Sequence, residues 1–64
     1  MAPHQERVVT EKRELDEKVS KLRAFFDTSA FAGLPLDETS RLIVQEYLMT
    51  QYSHVLGARI AAFK

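Results

Sequence analysis

Apolar residues recur every seven positions on both sides of Pro35. The first series is Val8, Leu15 and Leu22, and the second is Leu42, Met49, Leu56 and Phe63. A seven-residue repeat is typical of helices that pack side by side in a coiled coil. If the chain folds back near Pro35, the two series face each other, with Leu15 opposite Leu56. The pattern therefore predicts an all-α fold, an antiparallel two-helix hairpin.

A second series, three residues further along each helix, is mostly polar. Its predicted pairs are Glu11 with Arg59, Lys18 with Tyr52, and Phe25 with Gln45. In a structural interpretation, Glu11 forms an ion pair with Arg59 and Lys18 reaches the Tyr52 hydroxyl, which fixes the register of the helices. In a ligand-binding interpretation, the two cations and the tyrosine ring bind a small anion with aromatic bases. The residues alone favour the structural interpretation.

The boundaries of the hairpin follow from helix-breaking residues. We predict one domain over residues 1–64, with helices over 4–29 and 36–62 and a loop over 30–35. The first helix lacks Gly and Pro, and it ends within Asp27-Thr28-Ser29, because these residues compete for backbone hydrogen bonds. Pro35 opens the second helix, since its missing N–H costs little there. A short extra turn brings Phe31 and Leu34 to the closed end.

The second helix carries more apolar residues than one partner helix covers. Leu48 and Val55 are expected beside the helix–helix contact, and five more apolar residues lie on other faces: Ile43, Val44, Tyr47, Ile60 and Phe63. A 64-residue core rarely supplies more than ~3–5 kcal/mol of net stability. The chain has no cysteine, so disulfides cannot add to it. The sequence therefore predicts a homo-oligomer that buries this surface.

Charge and motif content narrow the function. Nine basic and nine acidic residues balance, which argues against binding a nucleic-acid polymer. We expect no membrane contact, since no apolar run approaches the ~20 residues that span a bilayer. Residues 1–5 do not resemble a signal peptide, which favours a soluble cytoplasmic protein. No catalytic motif is present, and His4 and His54 lack metal-ligand spacing, so we expect no enzyme activity, metal or cofactor.

His4 and Arg7 form a second candidate site. They are three residues apart in the first turns of helix one, and so share a face. The simpler interpretation is a frayed helix start. In an oligomer, however, this end of the hairpin could lie over another subunit's helices and complete a pocket.

The heptad pattern with its polar positions resembles a known family. The motif His4-x2-Arg7-Val8-x2-Glu11-x2-Glu14-Leu15-x2-Lys18-x2-Lys21-Leu22-x2-Phe25, followed by Phe31-x2-Leu34-Pro35, is similar to a widespread family of small phage proteins. That family is named after a protein of a crAss-like phage. The similarity continues through Leu42, Gln45, Met49, Tyr52, Leu56 and Arg59-Ile60, and so covers nearly the whole chain.

The resemblance implies a phage accessory protein that acts in the cytoplasm of the infected host. Several phage families of small helical hairpins form oligomers that sequester cyclic nucleotides and so blunt host defences such as CBASS. By this resemblance we expect a cyclic di- or trinucleotide ligand. Because cations and a ring share the polar series, our hypothesis places Arg7, Lys18 and Arg59 at phosphates and Tyr52 at a base. His4 and Gln45 would add hydrogen bonds. The alternative is a structural or adaptor hairpin that binds a host or phage protein through Ile43, Val44 and Tyr47.

Overall fold

Two long helices, joined by one short helix, form the whole structure. The computed structural model describes residues 1–64, with α1 over Pro3–Phe26, α2 over Ser29–Ala32 and α3 over Leu36–Ala61. It contains no strand. Helices α1 and α3 pack against each other along a molecule that measures 47 × 15 × 13 Å. The predicted all-helical hairpin is confirmed.

The first helix ends three residues earlier than predicted. The Thr28 hydroxyl donates a 2.6 Å hydrogen bond to the Phe25 carbonyl and accepts a 3.2 Å bond from the Phe31 amide. One side chain therefore closes α1 and caps the start of α2. The sequence identified this segment as helix-breaking but placed the break after Ser29 instead of after Phe26.

Aromatic rings close the loop end of the hairpin. The ring of Phe31 packs edge-on against Phe25, with 5.8 Å between centroids, and lies 4.8 Å from the ring of Phe26. Pro35 precedes the first turn of α3 with an extended backbone (φ −58°, ψ 149°). The predicted extra turn, the role of Phe31 and the start of α3 at residue 36 are confirmed.

The contact between α1 and α3, called the seam below, contains the whole first heptad series. Val8 and Leu56 are buried and the other five members are half buried. The second series of the seam lies four residues further along each helix, not three: Lys12, Val19 and Phe26 on α1, and Glu46, Ser53 and Ile60 on α3. In a heptad pattern the residues that face the partner helix are separated alternately by three and four positions. A second series placed three or four residues after the first would therefore lie near the partner helix in either case. The step of four prevails because it buries Val19 and half-buries Phe26 and Ile60.

The predicted polar series therefore lies beside the seam. Glu11, Lys18, Gln45, Tyr52 and Arg59 are all exposed. Leu48 and Val55, which we expected beside the seam, are 62% and 56% exposed. They lie on the opposite side of α3 and enlarge its uncovered apolar surface.

Candidate functional site

One flank of the seam is closed by polar contacts between the helices. We call it the locked flank, and it comprises Lys12, Asp16, Arg23, Glu46, Thr50 and Ser53. The Lys12 Nζ donates to Ser53 Oγ at 2.8 Å and to Asp16 Oδ2 at 2.9 Å, while the Ser53 hydroxyl donates to the other oxygen of Asp16. Ser53 is 5% exposed, so its hydroxyl needs these partners.

A second set of contacts extends the locked flank toward the loop. The Arg23 Nε donates to Glu46 Oε1 at 2.8 Å, and the Arg23 Nη2 donates to Thr50 Oγ1 at 3.0 Å. The Thr50 hydroxyl in turn donates to Glu46 at 2.9 Å. These bonds tie α1 to α3 near the middle of the hairpin and fix their register.

The hydrogen bonds change the acidity of the carboxyls on the locked flank. Bonds from Ser53 and then Lys12 hold the pKa of Asp16 below its usual value, and bonds from Arg23 and Thr50 lower the pKa of Glu46. Both carboxylates are therefore charged at neutral pH and compensate the cations beside them. A cleft of about 360 Å³ on this flank offers an anion little uncompensated positive charge.

The opposite flank holds the polar residues that the sequence singled out. We call it the open flank; it comprises His4, Glu11, Lys18, Gln45, Tyr52 and Arg59. The Tyr52 hydroxyl donates a hydrogen bond across the seam to the Glu11 carboxylate. We expected Lys18 to bond to the Tyr52 hydroxyl and Glu11 to pair with Arg59. Both predictions are wrong, because Glu11 accepts the hydrogen bond from Tyr52 instead.

Helical repetition places the rest of the open flank around this contact. Lys18 lies seven residues beyond Glu11 on α1, and Gln45 lies seven residues before Tyr52 on α3. His4 lies seven residues before Glu11 on α1, and Arg59 lies seven residues beyond Tyr52 on α3. Because a heptad brings a side chain back to nearly the same side of a helix, these three levels form one continuous strip, with ~10 Å between levels.

Charge on the open flank is less compensated than on the locked flank. The four ion pairs of the structure involve Lys12, Arg23 and Arg41 as cations, and none includes Lys18 or Arg59. Both of these side chains are exposed. The ring of Tyr52 between them is 45% exposed, while its hydroxyl is held by Glu11. The flank thus presents an oriented aromatic ring and two available cations.

The start of α1 offers a weaker anion site. His4 and Arg7 are exposed, but Arg7 lines a cleft together with Glu6, Glu11 and Glu14. Three carboxylates around one guanidinium disfavour a phosphate there. Gln45 is exposed, and its amide contacts the sulfur of Met49 on its own helix at 3.9 Å.

Five apolar residues were predicted to form an oligomer interface, and the structure divides them into two groups. Ile43, Val44 and Tyr47 are 53%, 56% and 54% exposed on the side of α3 that faces away from α1. Ile60 and Phe63 are half buried, and Ile60 lines a cleft with Val9 of α1. Ile60 falls in the second seam series, which explains its different location.

Comparison with known protein families identifies the family of this chain. A profile of the Sequestin family matches residues 2–62, which is almost the full length. The chain belongs to the Sequestin family. This agrees with the resemblance to small phage proteins, and the name Sequestin suggests a sequestering role. No curated protein and no solved structure matches the chain.

The locked flank was not predicted from the sequence. Its signal was present, since Lys12, Asp16 and Arg23 follow one another along one side of α1 at spacings of four and seven. We placed the second series three residues after the first, and so did not consider the side of α1 that carries Lys12 and Asp16. Neither long helix of this Sequestin-family chain contains an apolar stretch that could cross a membrane.

Proposed function

We propose that this protein sequesters a cyclic di- or trinucleotide second messenger without catalysis, and so counters antiphage signalling such as CBASS in the cytoplasm of the infected host. The family name supports a sequestering role in general. The observation that carries the nucleotide proposal is the open flank, where the exposed ring of Tyr52 lies on one strip with the unpaired cations Lys18 and Arg59. Stable binding requires only a preorganised site, and no reacting group.

Each component of a cyclic nucleotide has a matching group on this strip. Phosphates suit the Arg59 guanidinium and the Lys18 ammonium, which donate charge-assisted hydrogen bonds. A nucleobase stacks on the Tyr52 ring, and the Glu11 carboxylate that holds this tyrosine also accepts bonds from base amino groups. Gln45 and His4 lie at the ends of the strip as further hydrogen-bonding groups.

A hairpin 15 Å wide cannot enclose such a ligand alone. Ligand sites usually bury 70–90% of the ligand surface, and the open flank is a surface strip. We therefore propose that the working form is a homo-oligomer, in which the exposed apolar surface of α3 around Val44 supplies the subunit contact. A second subunit also provides the missing walls of the site.

Calorimetric titration of the purified protein with individual cyclic di- and trinucleotides tests this proposal. We expect saturable binding of at least one of them, and a roughly 10- to 100-fold weaker affinity for Lys18→Ala and for Arg59→Ala, because each removes a charge-assisted bond worth ~1.5–3 kcal/mol. Lys21→Ala is the matched control, since Lys21 is an exposed lysine of α1 outside the open flank; it should bind as the unmodified protein does. Unchanged affinity in both cation variants, with normal helicity, would refute the site.

The second candidate is an adaptor that binds a host or phage protein through the exposed apolar side of α3. The exposure of Ile43, Val44 and Tyr47, each above half, favours it. This alternative predicts that Tyr47→Ala disrupts a complex with the protein partner, and that no cyclic nucleotide binds. Nucleotide titration therefore separates the two functions.

A further inference from the structure

The hairpin leaves unusually much of its surface uncovered. Its accessible surface is 4736 Å², whereas a compact monomer of 7.3 kDa exposes roughly 4,200 Å². Its radius of gyration is 14.7 Å, against about 11 Å for a compact 64-residue domain. Only four residues are buried, so most of the apolar surface of α3 still contacts solvent. A partner that covers this surface would supply the missing burial.

The uncovered surface has the spacing of a coiled-coil contact. On the side of α3 opposite the seam, eight positions follow one another at steps of four and three: 37, 41, 44, 48, 51, 55, 58 and 62. We call this the outer stripe. Its first two positions are Asp37 and Arg41, and its last six, Val44, Leu48, Gln51, Val55, Ala58 and Ala62, carry no charge. Val44, Leu48 and Val55 are 56%, 62% and 56% exposed. Such a stripe fits another helix with the same spacing.

We propose that the outer stripe binds the same stripe of a second copy, with the two α3 helices antiparallel and a two-fold axis between positions 48 and 51. The spacings between successive stripe positions are symmetric about the midpoint of residues 48 and 51. Each stripe position therefore lies opposite a stripe position of the second copy. Val44 then faces Val55 of the second copy, and Leu48 faces Gln51. A two-fold contact of this kind is self-complementary and closes as a dimer.

Side-chain size and charge along the stripe select the antiparallel arrangement. Antiparallel packing sets Val44 against Val55 and leaves the long side chain of Arg41 opposite the small Ala58, whereas parallel packing sets each residue against its own copy. The first turns of α3 place Asp37 and Arg41 on the stripe. Parallel helices would set Asp37 beside Asp37 and Arg41 beside Arg41, so like charges would repel, whereas the antiparallel arrangement sets these residues against Ala62 and Ala58.

The second copy also completes the binding surface. A two-fold axis perpendicular to the helices keeps the open flanks of both copies on one side of the pair. Tyr52 lies two to three residues from the axis, about 4 Å along the helix, so both Tyr52 rings border the same central groove. This consequence rests on the proposed function, whereas the pairing of the stripes does not.

Cysteine cross-linking tests the arrangement directly, because the chain has no cysteine of its own. We expect an oxidised mixture of Val44→Cys and Val55→Cys proteins to form a disulfide-linked pair that contains one chain of each. Either variant alone should stay unlinked. The two copies of position 44 lie roughly 16 Å apart along the helix axis, which is too far for a disulfide. Lys21→Cys, on the far side of α1, is the control and should not cross-link.

Each remaining outcome overturns the proposal. Disulfide-linked dimers of each single variant alone would show parallel helices, and the absence of any linked species would show that the stripe is not an interface. Light scattering adds an independent readout without cysteine: the unmodified protein should have an even number of subunits, and Leu48→Glu should lose this contact while retaining its helicity. No ligand is present in these experiments, so their failure is distinct from a failure of nucleotide binding.

Discussion

Ser53 shows at the scale of one residue how polar groups hold this hairpin together. It is the only buried polar residue, and its hydroxyl receives a bond from Lys12 while giving one to Asp16. A leucine would be the usual occupant of its seam position. From the sequence we placed the second seam series three residues after the first instead of four, so Ser53 was not recognised as part of the seam.

We predict that Ser53→Ala lowers the free energy of unfolding by about 1 kcal/mol at neutral pH, since it removes hydrogen bonds to charged partners. Urea unfolding followed by circular dichroism measures this. Ser20→Ala is the matched control, because Ser20 is exposed and its hydroxyl takes no part in the hydrogen bonds among Lys12, Asp16 and Ser53; it should change stability little.

The same variant should respond less to acid. The pKa of Asp16 is lowered in the folded protein chiefly by the bond from Ser53, so its stabilising effect is present above the ordinary aspartate range near pH ~4 and is lost as the pH falls through the lowered pKa. The stability difference between the unmodified protein and Ser53→Ala should therefore shrink on acidification. A difference that stays constant or grows would contradict the role assigned to this bond.

At the scale of elements, the sequence predicted both long helices and their packing. Uninterrupted helix formers, a proline at residue 35 and a seven-residue apolar repeat are local signals, and the structure agrees with each. The end of α1 was less accurate because Asp27, Thr28 and Ser29 all disfavour helix, and only the hydrogen bonds of Thr28 decide between them. The second seam series depends on packing across the hairpin, which one helix's pattern does not encode.

Gly57 provides a prediction for α3. A methyl group there would meet only the Lys12 Cε, at an ordinary contact distance of 3.5 Å, and the backbone is helical. Gly57→Ala should therefore raise the free energy of unfolding by about 0.5–1 kcal/mol, because glycine costs more conformational entropy in a helix. Gly33→Ala, just outside α2, is the comparison and should gain less in urea unfolding. Destabilisation by Gly57→Ala would indicate that another chain or a ligand approaches α3 closely at this point.

At the scale of the whole molecule, the sequence predicted the kind of protein better than the location of its site. The Sequestin match covers the chain from residue 2 to residue 62 and agrees with the predicted phage family. The polar residues that carried the site prediction share one flank, but the contact between Tyr52 and Glu11 replaces the expected pairs. Sequence periodicity places residues on a side of a helix, whereas the partner of each side chain depends on how the two helices meet.

The uncovered outer stripe and the unpaired cations of the open flank lead to one account of the whole molecule. We propose that the stripe assembles the subunits and that the assembled open flanks bind a cyclic nucleotide. Both parts are required, because a hairpin 13–15 Å thick is too thin to enclose the ligand by itself.

Native mass spectrometry of the purified protein, alone and with an equimolar mixture of cyclic di- and trinucleotides, tests this account most directly. We expect a defined oligomer with an even number of subunits that selects one messenger from the mixture at a fixed ratio to subunits. An oligomer that remains free of ligand at micromolar concentrations would contradict sequestration of these messengers and direct attention to a protein partner at Tyr47.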